Sequence, residues 1–348
     1  MRNQIIADKI GINTHNLKVD DLYAALSVAS SSQEQIERKW FSHHGKNKQN
    51  DIFLYDITST YFEGTQNELA AFGYNRDKKK GKMQINIGLI TNGEGFPLKI
   101  EVFRGNLNDH KTVLQQISHL KDKLQARNLI FVGDRGMKIK YNLDTLKEAE
   151  REGIDYITGL THQEIDDLVS SRVIDLNLFT KELAEIEYEG LRYILSENPE
   201  LKAEEVAYLG KLKLRMDVEI SKIEASWEKR RLKNLENITK LEQGDKNKKL
   251  VTRFSEKSID KYKKSVLKVL LEKHATKYYQ ITEISDQRFE ITFDQTIYEH
   301  ALQMAGKYAV STTVKTSAMN TNEIRETYKN LQSVEHAFRD FKSDNVQV

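Results

Sequence analysis

Leu129-Ile130-Phe131-Val132 is apolar at every position, and that uniformity constrains the fold more than any other feature of the chain. A strand with one wet face alternates polar and apolar residues, whereas a strand with no polar position has to be covered on both faces. Helices must therefore lie over both sides of whatever sheet holds it. The run ends in Gly133-Asp134-Arg135-Gly136, which puts a carboxylate at the carboxyl end of an inner strand, where α/β sheets build their sites. Ile52-Phe53-Leu54-Tyr55 repeats the pattern and ends in Asp56.

The periodicity elsewhere supplies the other elements. Val19-Asp20-Asp21 offers caps for a helix carrying Leu22, Tyr23, Leu26 and Ala29, and Ser32 starts a second helix with Ile36 and Trp40 at helical spacing. His43-His44-Gly45-Lys46-Asn47 reads as a linker. Strand patterns follow at Ile52–Tyr55, Thr60–Glu63, Ile85–Thr91 and Leu98–Phe103, the last two joined by the turn Asn92-Gly93-Glu94-Gly95. This predicts an antiparallel meander. Helices are expected over Thr112–Leu124 and Tyr141–Arg151, with a strand at Ile154–Leu160. Meander first, then alternating helices and inner strands, is the order of a ribonuclease H-like α/β layer: a mixed sheet with flanking helices.

Thr161 to Lys277 reads as predominantly helical, with heptad-like Ile220, Ile223, Trp227, Leu232 and Leu235 set among charges, as in a long hairpin or short coiled coil. It reads as a large insertion into the α/β layer. Tyr278–Phe293 alternates as strand, Gly306–Thr313 reads as one more strand, and a last helix is expected from about Asn322 to Lys342. The expected domains are a helical remnant over 1–50, the first part of the catalytic layer over 51–160, the mainly helical insertion over 161–300, and the return to the layer over 301–348.

Composition removes several classes of function. With no cysteine in 348 residues there is no disulfide framework, thiolate zinc site or cysteine nucleophile. No histidine pair has zinc-protease spacing, and His43-His44 reads as a solvated pair. No stretch approaches a membrane span, and the first residues lack the apolar core of a signal peptide, so a soluble intracellular protein is expected. The net charge is only +2, but it is segregated: 161–210 holds twelve acidic and four basic residues, net −8, and 211–264 seventeen basic and nine acidic, net +8. Such blocks serve either as solvated helical faces or as a binding surface. The short cluster Arg76–Lys82, with Lys78, Lys79 and Lys80, reads either as an exposed hairpin loop or as a phosphate contact near Asp56.

The carboxylates carry the chemistry. Asp56 fits a turn hydrogen-bonded with Thr58, Ser59 and Thr60, or a ligand; Asp134 fits a helix cap, or a ligand. In the last helix Ile324, Leu331, Val334, Phe338 and Phe341 form an apolar stripe, while Tyr328, Glu335 and Lys342 are spaced by seven and share a face, drifting about 20° per step. Glu335 alone fits a surface residue. Together the three carboxylates make a set of hard oxygen donors suited to Mg²⁺ or Mn²⁺ and to metal-assisted attack of an oxygen nucleophile on a phosphodiester.

Six ordered motifs extend this reading. They are Tyr55-Asp56-Ile57-Thr58-Ser59-Thr60-Tyr61-Phe62-Glu63-Gly64; Gly73-Tyr74-Asn75-Arg76-Asp77-Lys78; Gln84–Leu89 with Gly95-Phe96-Pro97-Leu98; Gly105-Asn106 with Asp109; Gly133–Met137; and Val334-Glu335-His336-Ala337-Phe338-Arg339 with Lys342. In this combination the chain resembles the DDE transposases of bacterial insertion sequences, of the insertion-sequence-four type. The resemblance covers Asp51–Leu160 and about Tyr308–Lys342.

What the resemblance implies is specific. Asp56, Asp134 and Glu335 would be the catalytic triad and hold two Mg²⁺ (or Mn²⁺) ions for cleavage and strand transfer at the ends of the element. Tyr328, Lys342 and Arg339, with Lys78, Lys79 and Lys80, would contact DNA. The partners would be double-stranded transposon ends and target DNA, bound by a homodimer with no membrane involved, in the bacterial cytoplasm at the nucleoid. The family's last motif has an arginine three residues after the tyrosine, where this chain has Leu331. The short segments before Asp56 and after Lys342 are read as those of a fragment. Two other readings stand beside catalysis: a DNA-binding remnant without cleavage, and a ribonuclease H-like nuclease with another substrate.

Overall fold

The computed structural model describes residues 18–44, 51–64, 66–73, 81–107, 120, 129–135, 154–181, 183–243, 256–285 and 288–342. In chain order the elements are α1 (Val19–Ser31), α2 (Gln33–His44), β1 (Asp51–Phe62), β2 (Met83–Asn92), β3 (Pro97–Arg104), β4 (Leu129–Gly133), β5 (Ile154–Gly159), α3 (His162–Ser170), β6 (Ala184–Tyr188), β7 (Leu191–Glu197), α4 (Pro199–Glu242), α5 (Glu256–Glu272), β8 (Tyr279–Ser285), β9 (Arg288–Phe293), α6 (Gln295–Met304), β10 (Lys307–Thr312), α7 (Thr321–Lys329) and α8 (Leu331–Phe341). The chain divides into two compact units, one of Met1–Leu195 with Ala309–Val348 and one of Ser196–Tyr308.

One mixed sheet of eight strands has the order β3-β2-β1-β4-β5-β10-β7-β6. β1, β2 and β3 are antiparallel neighbours, whereas β1, β4 and β5 run parallel. These are the order and directions expected of a ribonuclease H-like layer. All five residues of β4 are buried, as its uniform apolarity requires. On one face Phe53, Tyr55 and Ile57 of β1 pack with Phe131, Phe103, Leu120 and Phe41.

β3 would present a row of open backbone groups at the sheet edge, and α2 covers it. Gln33 Nε2 donates to Ile100 O at 2.9 Å and Trp40 Nε1 to Pro97 O at 2.5 Å, which blunts the edge against further strand pairing. The two histidines read as a linker instead close α2, where the His44 ring lies between Trp40 and Phe96. α1 buries none of its residues, so Leu22, Tyr23 and Leu26 stay exposed.

The Asn92–Phe96 turn forms as expected. Asn92 Oδ1 accepts from the amides of Glu94 and Phe96, and Gly95 sits at φ +85°, a conformation that suits glycine.

A tight crossing ties β2 to the chain after β3. A Cβ added to Gly105 would lie 1.8 Å from the Gln84 carbonyl oxygen, and both neighbours there are backbone and cannot yield. Gly105 N donates to Leu69 O at 2.9 Å, and its carbonyl accepts from buried Gln84 Nε2 at 2.8 Å. Gly105→Ala is therefore expected to lower stability by about 3 kcal/mol, read as a shift in the urea midpoint. An unchanged midpoint would show that this crossing can relax.

Three further expectations are corrected. Residues 184–197 are not helical: β6 and β7 form a hairpin through a two-residue turn with Glu189 at φ 52° and Gly190 at φ 77°, the type I′ geometry favoured by strand twist. Glu-Gly followed by the β-rich Leu191–Leu195 was the overlooked signal. The last helix breaks at Asn330, so Tyr328 lies on α7 while Glu335 and Lys342 belong to α8 and its end. The seven-residue spacing therefore does not set all three on one straight helix.

The third correction lies in the second unit. Leu209, Met216 and Ile220 of α4 pack with Tyr262, Val266 and Leu270 of α5, and Ile223 and Trp227 join them. Leu232 and Leu235 are exposed, because Leu232 lies roughly 140° round the helix from Trp227 at 100° per residue. The expected helices at Thr112–Leu124 and Tyr141–Arg151 lie outside the described residues apart from Leu120, which is helical and fully buried.

Candidate functional site

Backbone register brings the two aspartates together. Tyr55 of β1 is the parallel partner of Gly133 of β4, and Asp56 and Asp134 are the next residues on each chain. One inter-strand spacing, about 4.8 Å, separates those strands. β4 ends at Gly133 while β1 continues to Phe62, so the sheet opens at this point. Side chains alternate, and with Tyr55 and Ile57 in the core of one face, Asp56 projects from the other.

α8 covers that other face. Leu89 stands directly opposite Asp56, and Ile100 opposite Leu89; Leu89 and Ile100 line a cleft of ≈ 700 Å³ together with Ala337 and Phe338 of α8. The helix is pinned at its start to the turn between β2 and β3 and at its end to β1. Asn330 Nδ2 donates to Gly93 O at 3.4 Å, and Lys342 Nζ donates to Ser59 O at 2.5 Å. Val334 and Phe338 are buried, while Glu335 and Arg339 are exposed.

The full triad does not come together as a ligand cage. Among the described residues no three Asp, Glu or His side chains are grouped so as to hold a metal ion. Three carboxylates at close quarters repel by about 1 to 4 kcal/mol per pair at 4 Å, and Glu335 is exposed. The pair, Asp56 within β1 and Asp134 just past the end of β4, still suits a hard cation by its donor chemistry. Asp134 is 52% exposed, and all of its contacts among the described residues fall on Oδ1: Arg135 N at 2.7 Å, Tyr328 Oη at 3.4 Å and Arg135 Nε at 4.0 Å. Oδ2 makes no hydrogen bond or ion pair with a described residue.

The remaining candidates are placed unevenly. Tyr328 is half-buried and its hydroxyl points inward at Asp134 rather than outward to solvent. Burial pushes its phenol well above the ordinary tyrosine value, reinforced by the Asp134 carboxylate, so it stays a hydrogen-bond donor at any physiological pH. Leu331, where the family has arginine, is buried in the core. Lys78, Lys79 and Lys80 lie outside the described residues.

Two groups escaped the sequence reading. Gly159 ends β5, and a Cβ there would lie 2.2 Å from the Tyr328 hydroxyl. Arg192, only 5% exposed, pairs with Glu185 through Nε at 2.7 Å and Nη2 at 3.0 Å, while Nη1 donates to Val314 O at 2.7 Å and Met319 O at 3.0 Å. Thr321 Oγ1 adds a bond to Glu185 at 2.5 Å. This clamp fixes the 313–320 connection that leads into α7. A basic residue inside the apolar run Leu191–Leu195 was the available signal, since a buried cation needs a partner.

The clamp predicts a pH dependence. The hydrogen bonds from Arg192 hold the Glu185 carboxyl below its usual range, against an opposing effect of burial and with help from Thr321. A depressed folded-state value means that the stabilisation is present above the unfolded carboxylate pKa, near 4.3, and is lost as pH falls through the folded value. Urea midpoints measured from pH 7 down to pH 3 should fall more steeply in the wild type than in Glu185→Gln; parallel curves would contradict this.

Comparison with known proteins places these features in context. The family model described as "Transposase DDE domain" matches residues 47–347. Among solved structures the chain is similar to the piggyBac transposase in its synaptic complex with hairpin DNA, with 10% identity, a TM-score of 0.30, and coverage of 44% of this chain and 32% of that one. The chain thus spans about a third of that transposase, a likeness too slight to bear on the site. No curated protein matches.

Proposed function

The chain belongs to the transposase DDE domain family, and on that premise we propose that it cuts DNA at the ends of an insertion sequence and joins the freed strand to target DNA, with Asp56, Asp134 and Glu335 as the acidic triad. The register that sets Asp56 of β1 beside Asp134, just past the end of the parallel strand β4, beneath the helix bearing Glu335, supports this reading. The insertion-sequence-four type fits the motif set, including Tyr328, Glu335 and Lys342.

In this reading Asp56 and Asp134 Oδ2 supply hard oxygen ligands, and Glu335 swings in from α8 to complete the set. The Mg²⁺ or Mn²⁺ ions held there supply charge neutralisation at the phosphodiester and a reactive oxygen nucleophile at neutral pH. Lys342 and Arg339, at the end of α8 near Ser59, give a backbone phosphate its positive partners. The basic segment 211–264 supplies sequence-independent attraction to DNA, and two copies of the chain would hold the paired ends. Among the described residues no helix is long and apolar enough to cross a membrane.

End-labelled DNA carrying the element's inverted repeats tests the proposal. Cleavage in Mg²⁺, abolished by EDTA, is expected. Salt-sensitive binding without cleavage would overturn the catalytic reading and leave a DNA-binding remnant, the alternative that buried Leu331 at the usual arginine position favours. Equal cleavage of DNA lacking the repeats would leave a nuclease with another substrate.

A further inference from the structure

Resting on the metal-site reading of Asp134, we propose that Tyr328 is a positioning residue: its hydroxyl, seated over Gly159, holds Asp134 Oδ1 so that Oδ2 faces the cation. The resemblance to the family assigns this tyrosine to DNA instead. The geometry argues otherwise, because the hydroxyl lies inward and donates to Asp134 at 3.4 Å.

Asp134 needs such a restraint. It lies just beyond the β4 ladder, half exposed, and its own backbone gives it only the flanking Arg135 N–H as a clamp. One hydrogen bond from the adjacent residue leaves the carboxylate free to pivot about that oxygen. A second donor reaching the same oxygen from α7 fixes the plane of the carboxylate and leaves the other oxygen uncommitted. A phenol suits the task because its single O–H, carried at the end of a rigid ring, can donate to the carboxylate oxygen from the neighbouring helix.

Gly159 makes the seat possible. The hydroxyl occupies the space that a β-carbon on residue 159 would fill, 2.2 Å away, and the ring carbon that bears it would be 2.9 Å away. Any side chain at 159 would push the phenol off Asp134. The absence of a Cβ is thereby tied to the orientation of a carboxylate on the neighbouring strand, and the Arg192–Glu185 clamp holds the start of the helix that carries the phenol. Partners that orient metal ligands typically account for about 10–100-fold in metal affinity.

The test measures Mn²⁺ binding to the full chain without DNA, by calorimetry and by electron paramagnetic resonance, together with DNA binding in EDTA. The variants are Tyr328→Phe, Gly159→Ala and Asp134→Asn, with folding checked by circular dichroism. Tyr328→Phe and Gly159→Ala should each weaken Mn²⁺ binding about tenfold and leave metal-free DNA affinity within twofold. If Asp134→Asn abolishes Mn²⁺ binding but Tyr328→Phe does not change it, the positioning role is overturned and the metal site stands. If Asp134→Asn leaves Mn²⁺ binding intact, the metal-site reading fails and the positioning role with it. A loss of metal-free DNA affinity in Tyr328→Phe, with Mn²⁺ binding unchanged, would return the tyrosine to the DNA.

Discussion

Asp134→Asn is expected to abolish Mg²⁺-dependent DNA cleavage, by roughly 10³-fold or more, while the protein stays folded and binds DNA. The substitution keeps the shape of the side chain and the acceptor for Arg135 N, and removes the charge. Losing a carboxylate that would hold a divalent ion at the phosphodiester removes several kcal/mol of charge stabilisation, and about 4 kcal/mol corresponds to 10³-fold in rate. Stability should barely move, because Asp134 is half exposed. Residual cleavage within tenfold of the wild type would show that the strand-end carboxylates do not carry the reaction.

Arg192→Met is the substitution with the largest expected effect on stability, about 3–5 kcal/mol, the usual range for removing one partner of a buried ion pair. It strands Glu185, which is 24% exposed in its side chain, and removes the donor shared by the Val314 and Met319 carbonyls. The double variant Arg192→Met with Glu185→Met should cost less than the sum of the two single changes, because no unpaired carboxylate remains. Denaturant unfolding measures both effects. Additive losses would mean that the two charges are not coupled and that α7 is anchored elsewhere.

What could be read directly from the sequence was whatever depends on strand pattern. The uniform apolarity of Leu129–Val132 and Ile52–Tyr55 identified inner strands, because that signal is local, and the carboxylates that follow them are brought side by side by the register. The β6–β7 hairpin was lost in a charged stretch: its turn relies on Glu189 and Gly190 at positive φ, and the helical average of the surrounding residues masked two short strands. The break at Asn330 escaped because helical spacing continues unchanged across it. Only the packing of α7 over β4 and β5, and of α8 over β1, shows that Tyr328 and Glu335 serve different parts of the sheet. The seat at Gly159 was invisible for a deeper reason, since a missing side chain carries no pattern and acquires meaning only from the residue brought against it.

Crystals of the protein saturated with Mn²⁺ provide the most direct measurement, through the anomalous signal of the ion. A peak bridged by Asp56 and Asp134 Oδ2, with Glu335 turned toward it from α8, is the predicted result. Ordered Mn²⁺ found only elsewhere, or the two aspartates left without a peak at saturation, would contradict the assignment of these carboxylates to metal-dependent DNA transposition.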